Sequence, residues 1–344
     1  MIEGKTILSA IPSPIKRLLA GKKIEIDNQI LNLNSQLLLK FFYRLTGDKI
    51  CNLTPQKARA MIDRVINLFH NQKKLNKMCH IKNDILHCND ADLPIRIYRP
   101  HNASKTIPTL IYYHGGGFVI GTLEMYDYLC ATFSSQCNIQ VISVDYRLAP
   151  ENKFPIPPLD CIAAYNGLYD NAQKYNIDVN QLAVAGDSAG GNLSTVVTSH
   201  ATKSNKCPKF QLLIYPVVRD AESPSFELFK EGFLLETDDM YWFANHYVKE
   251  DQDRKDPLLS PMYLDNTEQM PTSIIVIAGF DPLRDEGFDY AKKLKDNGVD
   301  VIMQVHEDQF HGFYHMNDAL PEASIAVSRT CDTIKDLFNN YSLS

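Results

Sequence analysis

The stretch LAVAGDSAGG, residues 182–191, constrains this chain more than any other. An apolar run stops abruptly at Gly186-Asp187-Ser188-Ala189-Gly190-Gly191. That pattern reads as a buried strand, a very tight turn holding one serine, and a helix that starts at once. Glycines two before and two after Ser188 remove the Cβ atoms that would collide in such a turn, so the hydroxyl stands clear of the sheet edge. The serine then sits at a helix N-terminus, where free backbone N–H groups favour developing negative charge. A nucleophile for acyl transfer needs this placement.

The remaining chain extends the alternation. Short β-rich runs at 95–98, 109–113, 141–145, 182–185, 210–215, 274–278 and 301–305 are mostly separated by helical patterns, such as 160–170, 192–203 and 286–297. Near-continuous apolar strands alternating with helices predict an α/β fold, with a parallel sheet covered on both faces. Before residue 70 the texture is helical: Leu37-Leu38-Leu39, Phe41, Phe42 and Leu45 form one apolar face, and Thr54 caps a helix whose first position is Pro55. The expected division is a helical segment at 1–70 and a catalytic domain at 71–344, with 217–265 inserted in it. The insertion carries Phe226, Phe229, Phe233, Tyr241, Trp242, Phe243 and Tyr247. Placed at a strand's carboxyl end, such aromatics either cover a pocket or form a small core of their own, and both can hold at once.

Charge and composition narrow the partners. A net charge of −6 without a dense Lys/Arg run argues against nucleic acid. The longest apolar run, 210–218, is broken by Gln211 and Pro216 and is far short of a membrane span. The N-terminus lacks a continuous apolar stretch with a small-residue cleavage site, so no signal peptide is expected. Eight scattered cysteines suit reduced thiols better than a disulfide framework, which points to the cytoplasm.

A serine hydroxyl needs a base, and the base needs an orienting acid. On a doubly wound sheet the chain order is serine, acid, histidine. Asp281 follows the run 274–278 and His311 follows 301–305, so each lies in a loop at the active edge of the sheet. Asp281 precedes a proline and could instead cap the helix that begins there. Asp285 is the rival acid, expected a turn into that helix. His306 is the rival base, expected to end its strand, while His200 lies too deep in the helix after Ser188 to be more than structural. Upstream, Tyr112-Tyr113-His114-Gly115-Gly116-Gly117-Phe118 follows an apolar strand directly. Its glycines let backbone N–H groups approach a substrate oxygen, and the expected oxyanion donors are Gly116, Gly117 and Ala189. A phosphate-cradling loop is the competing reading, but no G-x-G-x-x-G spacing or following lysine supports it.

Cys79-His80 and His87-Cys88 suggest metal ligands, yet neighbours on a strand face opposite ways, so no metal site is expected. Asp187, adjacent to the serine, is expected to brace the turn through hydrogen bonds. Residues 145–151, DYRLAPE, are expected to support the glycine loop.

Five segments, HGGGF (114–118), DYRLAPE (145–151), GDSAGG (186–191), DPLRDEG (281–287) and HGF (311–313), together resemble the hormone-sensitive-lipase-like branch of the α/β-hydrolase superfamily, also called bacterial family IV esterases. The resemblance spans roughly 80–340. It implies an α/β-hydrolase fold with a mostly parallel eight-stranded sheet and a helical cap built from the N-terminal helices and the insertion. It further implies Ser188 as nucleophile, His311 as general base and acid, and Asp281 as its partner. The implied activity is cleavage of short- to medium-chain carboxylic esters without a cofactor, the partner being a small-molecule ester. An amidase, deacetylase or lactonase could use the same triad. A ligand-binding receptor on a dead hydrolase is disfavoured because His311 is present. The sequence leaves a homodimer open, and the stretch from Ile7 to Leu19 beside Lys16, Arg17, Lys22 and Lys23 permits weak interfacial binding.

Overall fold

The computed structural model describes residues 7–339 apart from 70, 89, 220 and 266. Its centre is an eight-stranded sheet of β1 (His80–His87), β2 (Asp92–Arg99), β3 (Ile107–Tyr113), β4 (Gln140–Val144), β5 (Ile177–Asp187), β6 (Phe210–Ile214), β7 (Thr272–Phe280) and β8 (Val301–Phe310). The spatial order is β8-β7-β6-β5-β3-β4-β2-β1. Only β2 runs against its neighbours; β4 to β8 and β3 are mutually parallel.

Alternate residues of each inner strand enter two separate cores, which is why these strands read as unbroken apolar runs. Leu110, Tyr112, Ala183, Ala185, Leu212 and Ile214 pack on one face against α5 (Leu123–Cys137) and α11 (Pro321–Asn339). Ile111, Tyr113, Ile142, Leu182 and Val184 pack on the other against α6 (Ile156–Asp170) and α7 (Ala189–Lys203). Further along that face, Ile275 and Ile277 meet Tyr290 and Leu294 of α10 (Arg284–Asp296).

Two strands differ from the sequence expectation. β1 carries no apolar run because it is an exposed edge strand paired to β2 alone, with only Leu86 buried. β8 continues past residue 305, so His306 lies within the strand opposite Ala278 and does not end it.

Above the carboxyl ends of the strands lies a helical layer. Its N-terminal part is α1 (Ser13–Ala20), α2 (Leu33–Thr46), α3 (Pro55–Phe69) and α4 (Gln72–Met78); its second part, between β6 and β7, holds α8 (Pro224–Leu228) and α9 (Thr237–Tyr247). The two parts are joined by hydrogen bonds. Tyr43 Oη donates to Glu236 Oε1 at 2.9 Å, the Cys51 N–H to Asp239 Oδ1 at 3.0 Å, and Trp242 Nε1 to the Leu53 carbonyl at 2.9 Å. The inserted aromatics divide between two jobs. Phe229 and Phe233 pack on Phe280 with centroids 5.5 and 5.2 Å apart, whereas Phe243 faces the cavity below.

Candidate active site

The connection after β3 leads to β4 and the connection after β5 leads to β6, so the chain leaves these adjacent strands in opposite directions. A crevice must open at their carboxyl ends, and ligands bind α/β sheets there. Ser188 caps β5 and Gly115 to Gly117 cap β3, so both line this crevice.

Ser188 has φ 53° and ψ −119°, a strained left-handed conformation. Its amide donates to the Ile214 carbonyl at 2.8 Å, which pins the turn to β6. A Cβ on Gly190 would overlap the Tyr113 carbonyl oxygen, so only glycine lets α7 start this close to β3. The serine is 7% exposed.

Asp281 follows β7 and is fully buried. Its Oδ1 accepts the Leu283 N–H at 2.8 Å, while Oδ2 lies 2.7 Å from His311 Nδ1. The carboxylate thus serves the start of α10 with one oxygen and His311 with the other. His311 follows β8, packs on the Tyr215 ring at 4.6 Å, and opens onto the same cavity as Ser188. The rivals are occupied elsewhere. Asp285 accepts the Ser225 N–H at 2.9 Å and Arg284 Nε at 2.9 Å, anchoring the insertion. His306 packs on Phe313 and Tyr314, and burial pushes its pKa down to about 4.

At the glycine loop, the Gly115 N–H donates to Asp187 Oδ1 at 3.0 Å. The N–H groups of Gly116, Gly117 and Ala189 donate to no protein acceptor among the described residues. Gly117 adopts φ 58°, and a Cβ there would overlap the Phe243 ring. The loop is braced from below. Tyr146 Oη donates to the His114 carbonyl at 2.7 Å, and the Ala149 N–H donates to the Phe118 carbonyl at 2.9 Å, which accounts for the DYRLAPE segment.

Asp187 is a junction. Its carboxylate accepts Tyr112 Oη at 2.7 Å, the Gly115 N–H, His315 Nε2 at 2.8 Å and Tyr126 Oη at 3.3 Å. Burial alone would raise its pKa, but the facing His315, with Tyr112 and His114, outweighs that and holds the carboxyl below its ordinary value. His315 lies four residues after His311, so this contact ties the His311 loop directly to the serine turn. The sequence gives His315 no signal beyond its nearness to His311. Arg59 of α3 was equally silent, resembling any solvated arginine on an amphipathic helix. Its guanidinium donates to the Val119 carbonyl at 2.8 Å, the Ala149 carbonyl at 2.6 Å and the Glu151 carboxylate at 2.8 and 2.9 Å, tying the helical layer to the glycine loop.

These groups face a cavity of about 830 Å³, within the range of small-molecule sites. Ser188, His311, Gly116 and Gly117 form its floor; Leu38, Phe42, Ile62, Val65, Leu235 and Phe243 contribute apolar walls. The suggested metal ligands lie elsewhere. His80 contacts His101, His87 contacts Asp92, and no group of three or more potential ligands occurs among the described residues.

The fold and crevice define a class, and the comparisons agree: residues 110–315 match the family model described as the alpha/beta hydrolase fold. The chain belongs to that family, in the hormone-sensitive-lipase-like branch that its five segments resemble. Among relatives, it is 35% identical to the carboxylic ester hydrolase LipN of Mycobacterium tuberculosis, over 91% of this chain and 85% of LipN. It is 36% identical to the ethyl acetate hydrolase of Pseudomonas putida, over 67% of this chain and 74% of the relative. Among solved structures, an ester hydrolase from the Lake Arreo metagenome, in complex with a bipyridine phosphonate derivative, superposes with a TM-score of 0.82. That pair is 34% identical, over 90% of this chain and 99% of the other. A thermostable esterase from Pseudomonas putida gives 0.84 at 27% identity, over 90% and 98%. No helix among the described residues is long and apolar enough to cross a membrane.

Proposed function

We propose that this carboxylic ester hydrolase is a serine carboxylesterase that acts through an acyl-enzyme on short- to medium-chain esters. One observation carries the reading: His311 Nδ1 is held by the buried Asp281 at 2.7 Å, leaving its other nitrogen for the cavity into which Ser188 also opens. Ser188 Oγ attacks the ester carbonyl as His311 Nε2 takes its proton, and Asp281 stabilises the imidazolium. The carbonyl oxygen becomes an oxyanion held by the N–H groups of Gly116, Gly117 and Ala189, whose freedom from protein acceptors supports that role. His311 returns the proton to the leaving alcohol. Water, activated by the same imidazole, then releases the acid and regenerates the serine. The segments 1–70 and 217–265, of which residues 1–6, 70 and 220 lie outside the described residues, act as a cap whose apolar walls select the acyl chain. All eight cysteines are free, which supports the cytoplasm as the compartment.

The test is Ser188→Ala assayed on p-nitrophenyl acetate, butyrate, octanoate and palmitate. We expect turnover of the preferred ester to fall by about 10⁴–10⁶. Near-normal turnover would refute the assignment.

A further inference from the structure

The helical layer is inverted where it meets solvent. In α1 the basic Lys16 is 8% exposed and Ala20 7%, while Leu18 is 83%, Leu19 50% and Ile15 49% exposed. A soluble amphipathic helix turns its leucines inward and its lysines outward; here the opposite face looks out. The apolar surface continues onto α2, where Phe41 is 55% and Leu45 39% exposed. The two helices meet at this point, since Lys40 Nζ donates to the Leu19 carbonyl at 2.9 Å. Leu19, Phe41 and Leu45 also line the cavity above Ser188, so they form part of its rim. A contiguous apolar patch at the mouth of a binding cavity marks an interaction surface, unlike leucines exposed singly.

Charge identifies what fits it. Residues 13–49 carry seven Lys/Arg against three Asp/Glu, in a chain whose net charge is −6. Of these ten groups Lys16 is buried, Lys23 is paired with Glu25, Lys49 with Glu231 and Glu236, and Asp27 with Arg284, while Asp48 is exposed. Lys22, Lys40 and Arg44 are exposed on the same two helices and the turn after α1, with Lys40 at the Leu19 carbonyl. A second copy docking rim to rim would bring like charges together. A bilayer with anionic headgroups attracts basic side chains to its surface and takes apolar ones below it.

We propose that this apolar patch, the rim residues Leu19, Phe41 and Leu45 with Ile15 and Leu18 outside the cavity, docks the protein on an anionic lipid surface. Docked this way, the cavity faces the bilayer, and an apolar ester could pass from lipid to Ser188 without crossing bulk water. Docking itself does not depend on the hydrolytic assignment.

The test uses the full chain as Ser188→Ala, which keeps lipids intact, in co-sedimentation with two vesicle types. One is phosphatidylcholine alone and the other phosphatidylcholine with phosphatidylglycerol. We expect sedimentation with the anionic vesicles only, released by high salt. Leu18→Asp added to this background should lower partitioning by roughly tenfold. Leu18 does not line the cavity, so Leu18→Asp with Ser188 intact should hydrolyse p-nitrophenyl acetate normally, which also reports that it folds. Failure to bind anionic vesicles, or equal binding to both kinds, would overturn the proposal. So would a dimer in sedimentation velocity that Leu18→Asp dissociates, which would assign the rim to a second copy.

Discussion

The carboxyl edge of the sheet and the helical layer above it are built on different principles. At the edge, polar side chains are buried and held by short hydrogen bonds from several directions. Asp281 is fixed by Leu283 and His311, and Asp187 by four partners from β3, the glycine loop, α5 and the segment after β8. In the layer, the surfaces facing the cavity are apolar, and a few polar ties such as Arg59 and Tyr43 hold the segments in place. A hydrogen-bonded array in a dry site has one acceptable geometry, whereas an apolar wall tolerates exchange of similar volumes. Chemistry should therefore be brittle at the edge, and substrate choice adjustable in the layer.

The sharpest way to break this contrast is Asp281→Asn. It preserves shape but withdraws the charge facing His311, and turnover should fall on the order of 10⁴ with the fold intact. A loss of only a few-fold would make the edge no more demanding than the layer. Next comes His315→Phe, which can keep its ring against Tyr126 while cutting the bond to Asp187. If that bond sets the distance between the His311 loop and the serine turn, kcat should fall by about 10–100-fold. The complementary change in the layer is Phe243→Ala. Widening the wall over Gly117 should leave kcat on the acetate ester within a few-fold. It should move preference toward longer acyl chains by roughly fourfold per methylene accommodated. An equal loss on all esters would show that the wall also positions the reacting groups.

The smallest expected effect concerns stability. Glu286, in α10 behind Asp281, accepts the Val218 N–H at 2.7 Å and is fully buried. Burial pushes its pKa up to about 8 from 4.5, despite the opposing bonds from Val218 and Arg219. The folded chain thus keeps a proton that the unfolded chain has released, so its contribution is fully present below pH 4.5 and fades as pH rises to about 8. Against Glu286→Gln, the wild-type melting temperature should lose ground across that window and level off above it. A constant difference from pH 5 to 9 would show that Glu286 does not titrate there.

Legibility in the sequence followed the same divide. Strands β3 to β7 are legible because both faces are buried, and Ser188, Asp281 and His311 because loops after parallel strands face one edge. β1 was silent because an edge strand with one buried side chain has no apolar run. His306 lies inside β8 and not at its end, because the strand shifts register between 306 and 310 and then continues. Arg59 and His315 were unreadable for another reason. Each acts on segments distant in sequence, and neither residue type nor spacing encodes such a contact. The inverted face of α1 was only half legible: the basic and apolar residues were visible, but not which of them faced water.

If Ser188 forms the covalent intermediate, its hydroxyl must be reactive in the free enzyme. An alkyl fluorophosphonate reacts with an activated serine hydroxyl, and the modified peptide can be mapped by mass spectrometry. We expect one label per chain, on the peptide containing Ser188, and none in Ser188→Ala. A label on another residue, or an unlabelled protein that still hydrolyses esters, would contradict this.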